Sequence, residues 1–141
     1  MTVVLDTNVV SEIMRDEPHP DVLVWLDGRP TRELFVTAVT EAEVRTGIAF
    51  LPAGKRRRAI ADAADRAFGG LFGGRVLPFD SEAARAYAGI AAARRAAGRP
   101  VSQADGQIAA IAHARGMALA TRNIRDFADM GIELIDPWAF A

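Results

Sequence analysis

Asp6, Glu43, Asp105 and Asp126 lie far apart along the chain, yet each falls where an alternating strand–helix fold turns over the same sheet edge. Asp6 closes the apolar run Val3-Val4-Leu5 and is followed by Thr7-Asn8. Glu43 sits in Thr40-Glu41-Ala42-Glu43, at the start of a helix that follows the strand Leu34-Phe35-Val36-Thr37. Asp105 opens another helix in Ser102-Gln103-Ala104-Asp105, and Asp126 follows Thr121-Arg122-Asn123 just after the strand Ala118–Thr121. Strand ends and helix starts share one edge in open α/β sheets, and ligands bind in the crevice there. Carboxylates massed without a basic partner repel one another, and a hard divalent cation relieves that repulsion.

Each acid also has a plainer explanation. Thr40-x-x-Glu43 reads as a capping box, in which the glutamate reaches back to the cap residue's N–H, and Ser102-x-x-Asp105 is its shorter version. Asp126 is an ordinary loop aspartate. Asp6 resists such an account, because it ends a fully apolar strand and nothing near it in sequence can pair with it. Capping alone does not supply the whole set. Thr7, Asn8 and Thr121 add neutral oxygens at the same edge, which suits the all-oxygen ligation and retained waters of Mg²⁺ or Mn²⁺. Such an ion activates water and offsets charge on a phosphoryl oxygen, so hydrolysis of a phosphodiester is the chemistry these residue types best support.

Other chemistries find no support. The sequence has no cysteine, which removes disulfides, thiolate metal sites and a Cys nucleophile together. No Gly-x-Ser-x-Gly elbow is present, and His19, in a Pro-flanked turn, and His113, alone on a helix, belong to no visible triad. Gly69–Gly74 lacks the Lys-Ser/Thr of a phosphate loop and reads as a helix break. Leu5-Asp6-Thr7-Asn8 lacks the second aspartate of a phosphoaspartate-forming hydrolase.

The elements that must position these residues follow from periodicity and punctuation. Strands are predicted at about 2–6, 33–37, 76–77, 117–121 and 133–135. Helices are predicted over 8–15, from Asp21 as cap to Gly28, from Thr40 to Pro52, over 54–68, over 81–97 behind Asp80, and from Ser102 to Gly116, with a helical turn near 123–129. Val22, Leu23, Trp25 and Leu26 form the apolar side of the second helix. The alternation predicts an α/β/α sandwich around a mainly parallel sheet of four to five strands, as a single domain over 1–141. No run approaches the roughly 20 apolar residues of a membrane span, and the N-terminus carries no signal-peptide pattern. A cytoplasmic protein is the expectation.

Net charge is −1, so the overall field does not hold nucleic acid. The distribution is more informative: of 17 basic residues only Lys55 is lysine. Arginine's planar fork suits phosphate. Arg122, Arg125 and Arg45 lie close in sequence to the acidic edge, whereas Lys55–Arg58 reads as a solvated helix face.

At these residues the sequence resembles PIN domains, in particular the VapC-type toxins of bacterial toxin–antitoxin pairs, including their FitB-like branch. The resemblance spans essentially the whole chain. It rests on Val4-Leu5-Asp6-Thr7-Asn8, Thr40-Glu41-Ala42-Glu43-Val44-Arg45-Thr46-Gly47, Ala104-Asp105-Gly106-Gln107-Ile108-Ala109-Ala110, Thr121-Arg122-Asn123 with Asp126-Phe127, and Ile135-Asp136-Pro137-Trp138. It implies a Mg²⁺- or Mn²⁺-dependent endoribonuclease in which Asp6, Glu43 and Asp105 are the metal-binding acids. Asn123 stands where the family often has its fourth acid, which leaves that position to Asn123 or to Asp126. The resemblance further implies an RNA substrate, a homodimer, and silencing by a small DNA-binding antitoxin that inserts into a groove of the toxin. A non-catalytic PIN-like binding module and a metal-dependent phosphatase of small molecules are the readings to be distinguished from it.

Overall fold

Val3, Val4 and Leu5 have no exposed side chain at all, as a strand covered on both faces requires. They form β1 (Val3–Leu5), the middle of a five-stranded sheet in the computed structural model, which describes residues 1–139. Its neighbours are β2 (Leu34–Thr37), β3 (Val76–Leu77), β4 (Ala118–Ala120) and β5 (Leu134–Ile135), in the order β3-β2-β1-β4-β5. Every pairing is parallel, with Val3 opposite both Leu34 and Ala118. The chain lays down β1, β2 and β3 toward one edge and then crosses back to place β4 on the other side of β1. The order therefore reverses between β1 and β4. That is the switch point at which open α/β sheets form their crevice.

Among the described residues six α-helices pack on the two faces: α1 (Thr7–Ile13), α2 (Pro20–Asp27), α3 (Ala38–Ala49), α4 (Lys55–Asp65), α5 (Ser81–Ala96) and α6 (Gln103–Ala114). Strand alternation divides the core. Val3 and Leu5 join Val10, Trp25, Ile48 and Phe68 beneath the first four helices. Val4 and Leu119 point the other way, onto Ile90, Ile108 and Ile111 of α5 and α6. This is the expected sandwich. No helix among the described residues is long and apolar enough to cross a membrane.

Several boundaries differ from the sequence expectation, each for a local reason. α2 is capped by His19, whose Nδ1 accepts from the Asp21 amide, so Asp21 lies in the first turn behind Pro20. Leu23, expected on the apolar side of that helix, is exposed. α3 starts at Ala38 because the Thr37 hydroxyl, rather than that of Thr40, accepts the amide three residues on. The glycines after α4 do not break it at once: Arg66–Leu71 continues as a π-helical turn before the helix ends at Phe72. The turn after β4 is a 3₁₀ segment, Ile124–Phe127, shorter than expected.

Candidate active site

Asp6 leaves the C-terminal end of β1 and caps α1, its Oδ1 accepting from the Thr7 amide at 2.8 Å. Its Oδ2 accepts from the Thr121 hydroxyl at 2.8 Å and from the Asn8 amide nitrogen at 3.3 Å. Thr121 directly follows β4, so this bond ties the ends of the two strands between which the sheet order reverses. These contacts favour the carboxylate, yet burial of Asp6 outweighs them. With the charges of Asp105 and Glu43 acting in the same sense, the carboxyl is pushed up to about 6. A buried anion facing other anions is the electrostatic signature of a site that receives positive charge.

Thr121 and Asn8 also set the loop that follows. The Thr121 hydroxyl accepts from the Asn123 amide at 3.0 Å, and the Asn8 side-chain oxygen accepts from the Arg122 amide at 3.3 Å. Asn8 further donates to the Thr121 hydroxyl at 3.4 Å.

Glu43 stands on α3 one turn beyond Thr40, so both side chains face α1. The Thr7 hydroxyl donates to Glu43 Oε1 at 2.6 Å and lies 3.0 Å from the Thr40 hydroxyl. Thr7 has one proton and gives it to the carboxylate, so Thr40 must be the donor in the second bond. Glu43 is thus not part of a capping box: its carboxylate is aimed across the cleft by a relay from the buried Thr40 through Thr7. The sequence alone makes Thr40 only a cap. Its spacing of three residues before Glu43, without the assumed helix start, carried the signal.

Asp105 lies in the first turn of α6, where the Ser102 hydroxyl accepts its amide at 3.2 Å. Burial raises its carboxyl, and Glu43 and Asp126 add to the rise, with Ser102 opposing it. The four acids therefore act on one another as a connected set: Asp6 with Asp105 and Glu43, Asp105 with Glu43 and Asp126. Among the described residues no three of them close to within a single ion's coordination shell. Their donor chemistry, oxygen only, nevertheless fits a hard divalent cation, and the raised Asp6 and Asp105 mark where its charge would be felt.

The arginines divide. Arg122 follows Thr121 and stacks its guanidinium over the Trp138 ring, 5.1 Å from the centroid. Arg125 is exposed on the 3₁₀ turn beside Asp126. Arg45 does not join them. Two residues beyond Glu43, it lies about 200° further round the helix and is held by Glu41 at 2.8 Å and Asp65 at 2.9 Å.

A parallel α/β sandwich with an acidic crevice at its switch point defines a class of hydrolytic and nucleotide-handling domains, and comparison with known proteins narrows it. The PIN domain family model matches residues 3–133, and the chain belongs to that family. It is 43% identical over 136 residues to the VapC ribonuclease Y4jK of Sinorhizobium fredii, covering 96% of this chain and 97% of that protein. It is 36% identical to Toxin FitB of Neisseria gonorrhoeae, covering 96% and 98%. Among solved structures, FitAB bound to an IR36 DNA fragment superposes with a TM-score of 0.91 at 36% identity, over 99% of this chain and 98% of that one.

Proposed function

We propose that this protein is a metal-dependent endoribonuclease that acts as the toxin of a toxin–antitoxin pair. The observation that carries the reading is the buried Asp6 carboxyl, pushed up to about 6 beside Asp105 and Glu43 at the β1/β4 switch point. A catalytic domain has use for such a cluster, whereas a binding module has no need of acids left uncompensated. The ribonuclease and toxin names of relatives that match over nearly their whole length support the substrate and the biology.

Asp6, Glu43 and Asp105 would hold Mg²⁺ or Mn²⁺, with Asp126 or Asn123 completing the acidic edge. When bound, the ion supplies an activated water and screens negative charge on the scissile phosphate. The chain's own residues do the positioning. Thr121 and Asn8 fix Asp6, and the Thr40–Thr7 relay fixes Glu43. Arg122 and Arg125, on the loop after β4, would hold phosphates of the RNA backbone. Water adds to phosphorus and one ribose oxygen leaves with a proton.

The antitoxin would occupy the groove of about 1040 Å³ between α1, α3, α4 and the π-helical turn. Its floor is apolar, with Met14, Val44, Ile48 and Ile60, and it opens beside Thr7 and Glu43, so an occupant also meets the acids. The partner is proposed to bind DNA, in line with the DNA-bound FitAB assembly, and the toxin to be a homodimer. Purified protein should cleave RNA with Mg²⁺ or Mn²⁺ and not with chelator, and the Asp6→Asn protein should be inert under both conditions. Equal cleavage by parent and Asp6→Asn, or none by the parent at any divalent ion, refutes the assignment.

A further inference from the structure

Arg94 is a charge buried in α5 that the acidic cleft does not account for. It is 7% exposed, and among the described residues no carboxylate lies within ion-pair distance of it. Its guanidinium instead donates to three backbone carbonyls: Nε to Arg99 at 2.8 Å, and Nη1 to Asp126 at 3.0 Å and Ala128 at 3.2 Å. Burying a guanidinium costs several kcal/mol unless its donors are met, and these carbonyls meet them. Two belong to the segment that carries Asp126, on either side of the buried Phe127.

That segment does not hold its shape by regular structure. It contains one 3₁₀ turn, and Asp129, a non-glycine residue, sits at φ 62, a left-handed conformation that L side chains rarely adopt. Arg99 braces the same stretch from outside, donating to the Arg125 carbonyl at 3.2 Å and pairing with Asp129 at 3.5 Å. Two arginines from the end of α5 and the turn after it thus grip the carbonyls of Arg125, Asp126 and Ala128. The peptide plane that Arg94 holds is the one from which Asp126 departs.

We propose that Arg94 is a positioning residue for the nuclease: by fixing the carbonyls of Asp126 and Ala128 it sets where the Asp126 carboxylate stands at the acidic edge, without itself touching any of the carboxylates. This rests on the reading of Asp126 as a member of the site. The test compares Arg94→Gln, Arg94→Lys, Asp126→Asn and the Arg94→Gln/Asp126→Asn double variant in the full chain. Hydrogen exchange is followed in the metal-free proteins, and kcat and KM at saturating Mg²⁺. Arg94→Gln should speed exchange across 123–129 but not in β1 or α6, and lower kcat by up to roughly tenfold, no more than Asp126→Asn does, with KM little changed. The double variant should be no slower than Asp126→Asn alone. Arg94→Lys keeps the charge but not the fork, so it should show smaller shifts of the same kind, and it carries the test if Arg94→Gln fails to fold. Multiplying losses in the double variant, with Asp126→Asn impaired, overturn the positioning role and leave Asp126 in the site. A fully active Asp126→Asn overturns the role of Asp126 and the proposal with it. Unchanged kcat and loop exchange in Arg94→Lys also overturn the proposal.

Discussion

Asp6 concentrates the site's electrostatic cost in one side chain. Its carboxyl rises from 3.8 to about 6 on folding, a difference equivalent to about 3 kcal/mol. Because the folded value lies above the unfolded one, folding takes up a proton between those two pH values. The stabilisation is complete below 3.8 and lost as pH rises through about 6. The raised Asp105 adds in the same direction. In chelator, the melting temperature should therefore fall between pH 5 and 7.5, and Asp6→Asn should be more stable than the parent at pH 7.5. The gain should be about 1–3 kcal/mol, since the amide keeps only one acceptor for three donors. An Asp6→Asn protein that melts lower than its parent at pH 7.5 rules out like-charge and desolvation strain at this position.

The fourth acidic position separates two neighbours. Asp126 acts on Asp105, while Asn123 is fixed through its amide to Thr121. Asp126→Asn should lower activity by roughly tenfold, the effect of one lost electrostatic contact of 1–2 kcal/mol, and Asn123→Asp should preserve or raise it and tighten Mg²⁺. Titration of both variants with Mg²⁺ checks this, and a silent Asp126→Asn beside an inactive Asn123→Ala assigns the position to Asn123. At this scale the sequence was readable for Asp6, because an acid at the end of an apolar strand has few other uses. It was not readable for Thr40, whose role depends on where α3 begins. That boundary is decided by which of two threonine hydroxyls, Thr37 or Thr40, reaches the free amide.

Asp105 lies at the start of α6, which packs on α5, and the next residue, Gly106, comes close to α5. A Cβ there would lie 2.7 Å from Tyr87 Cε2 and 3.2 Å from Val101 Cγ1. The half-buried Tyr87 packs edge-on to Phe79 with ring centroids 6.0 Å apart, a contact its ring would have to leave to make room. Gly106→Ala should thus cost about 1–3 kcal/mol by overpacking and also reduce activity, because Asp105 is the adjacent residue. Tyr87→Ala in the Gly106→Ala background should recover activity more than stability, since it opens space for the methyl but removes core contact. A Gly106→Ala protein with parental melting temperature and rate refutes the close approach. The elements themselves were legible wherever period and punctuation agreed, as in α5, with Asp80 as cap and Gly98 after it. They were less so after α4, where Gly69 and Gly70 suggested a stop. Phe68 and Phe72 are instead buried in the core and carry the backbone through a π turn. Tertiary burial overrode a local signal there.

Across the whole molecule, the acidic cleft and the apolar groove meet at Thr7 and Glu43, so on the proposed reading catalysis and inhibition would share an edge and draw on different cations. Arg15, Arg56 and Arg66 line the groove side, whereas Arg122 and Arg125 lie on the loop beyond β4. Composition alone could not separate these sets, because both are simply arginine-rich; the strand order does, by placing β4 on the opposite side of β1 from β2 and β3. RNA bound across the acids should therefore draw on Arg122, while the groove's cations serve the protein partner. Each phosphate contact contributes roughly 0.7 to the log–log salt slope of single-strand binding. Arg122→Ala should weaken RNA binding and reduce that slope by about one such contact, and Trp138→Leu should weaken it less, by freeing the guanidinium from the ring that now holds it. Joint replacement of Lys55–Arg58 by serine should leave RNA affinity and slope nearly unchanged and weaken capture of the co-expressed antitoxin, because Arg56 lines the groove. RNA-binding isotherms in catalytically silent Asp6→Asn protein over a series of salt concentrations measure the affinities and slopes, and co-purification with the tagged antitoxin measures its capture. An unchanged slope for Arg122→Ala beside a collapse in the Lys55–Arg58 variant would place the RNA along the groove instead.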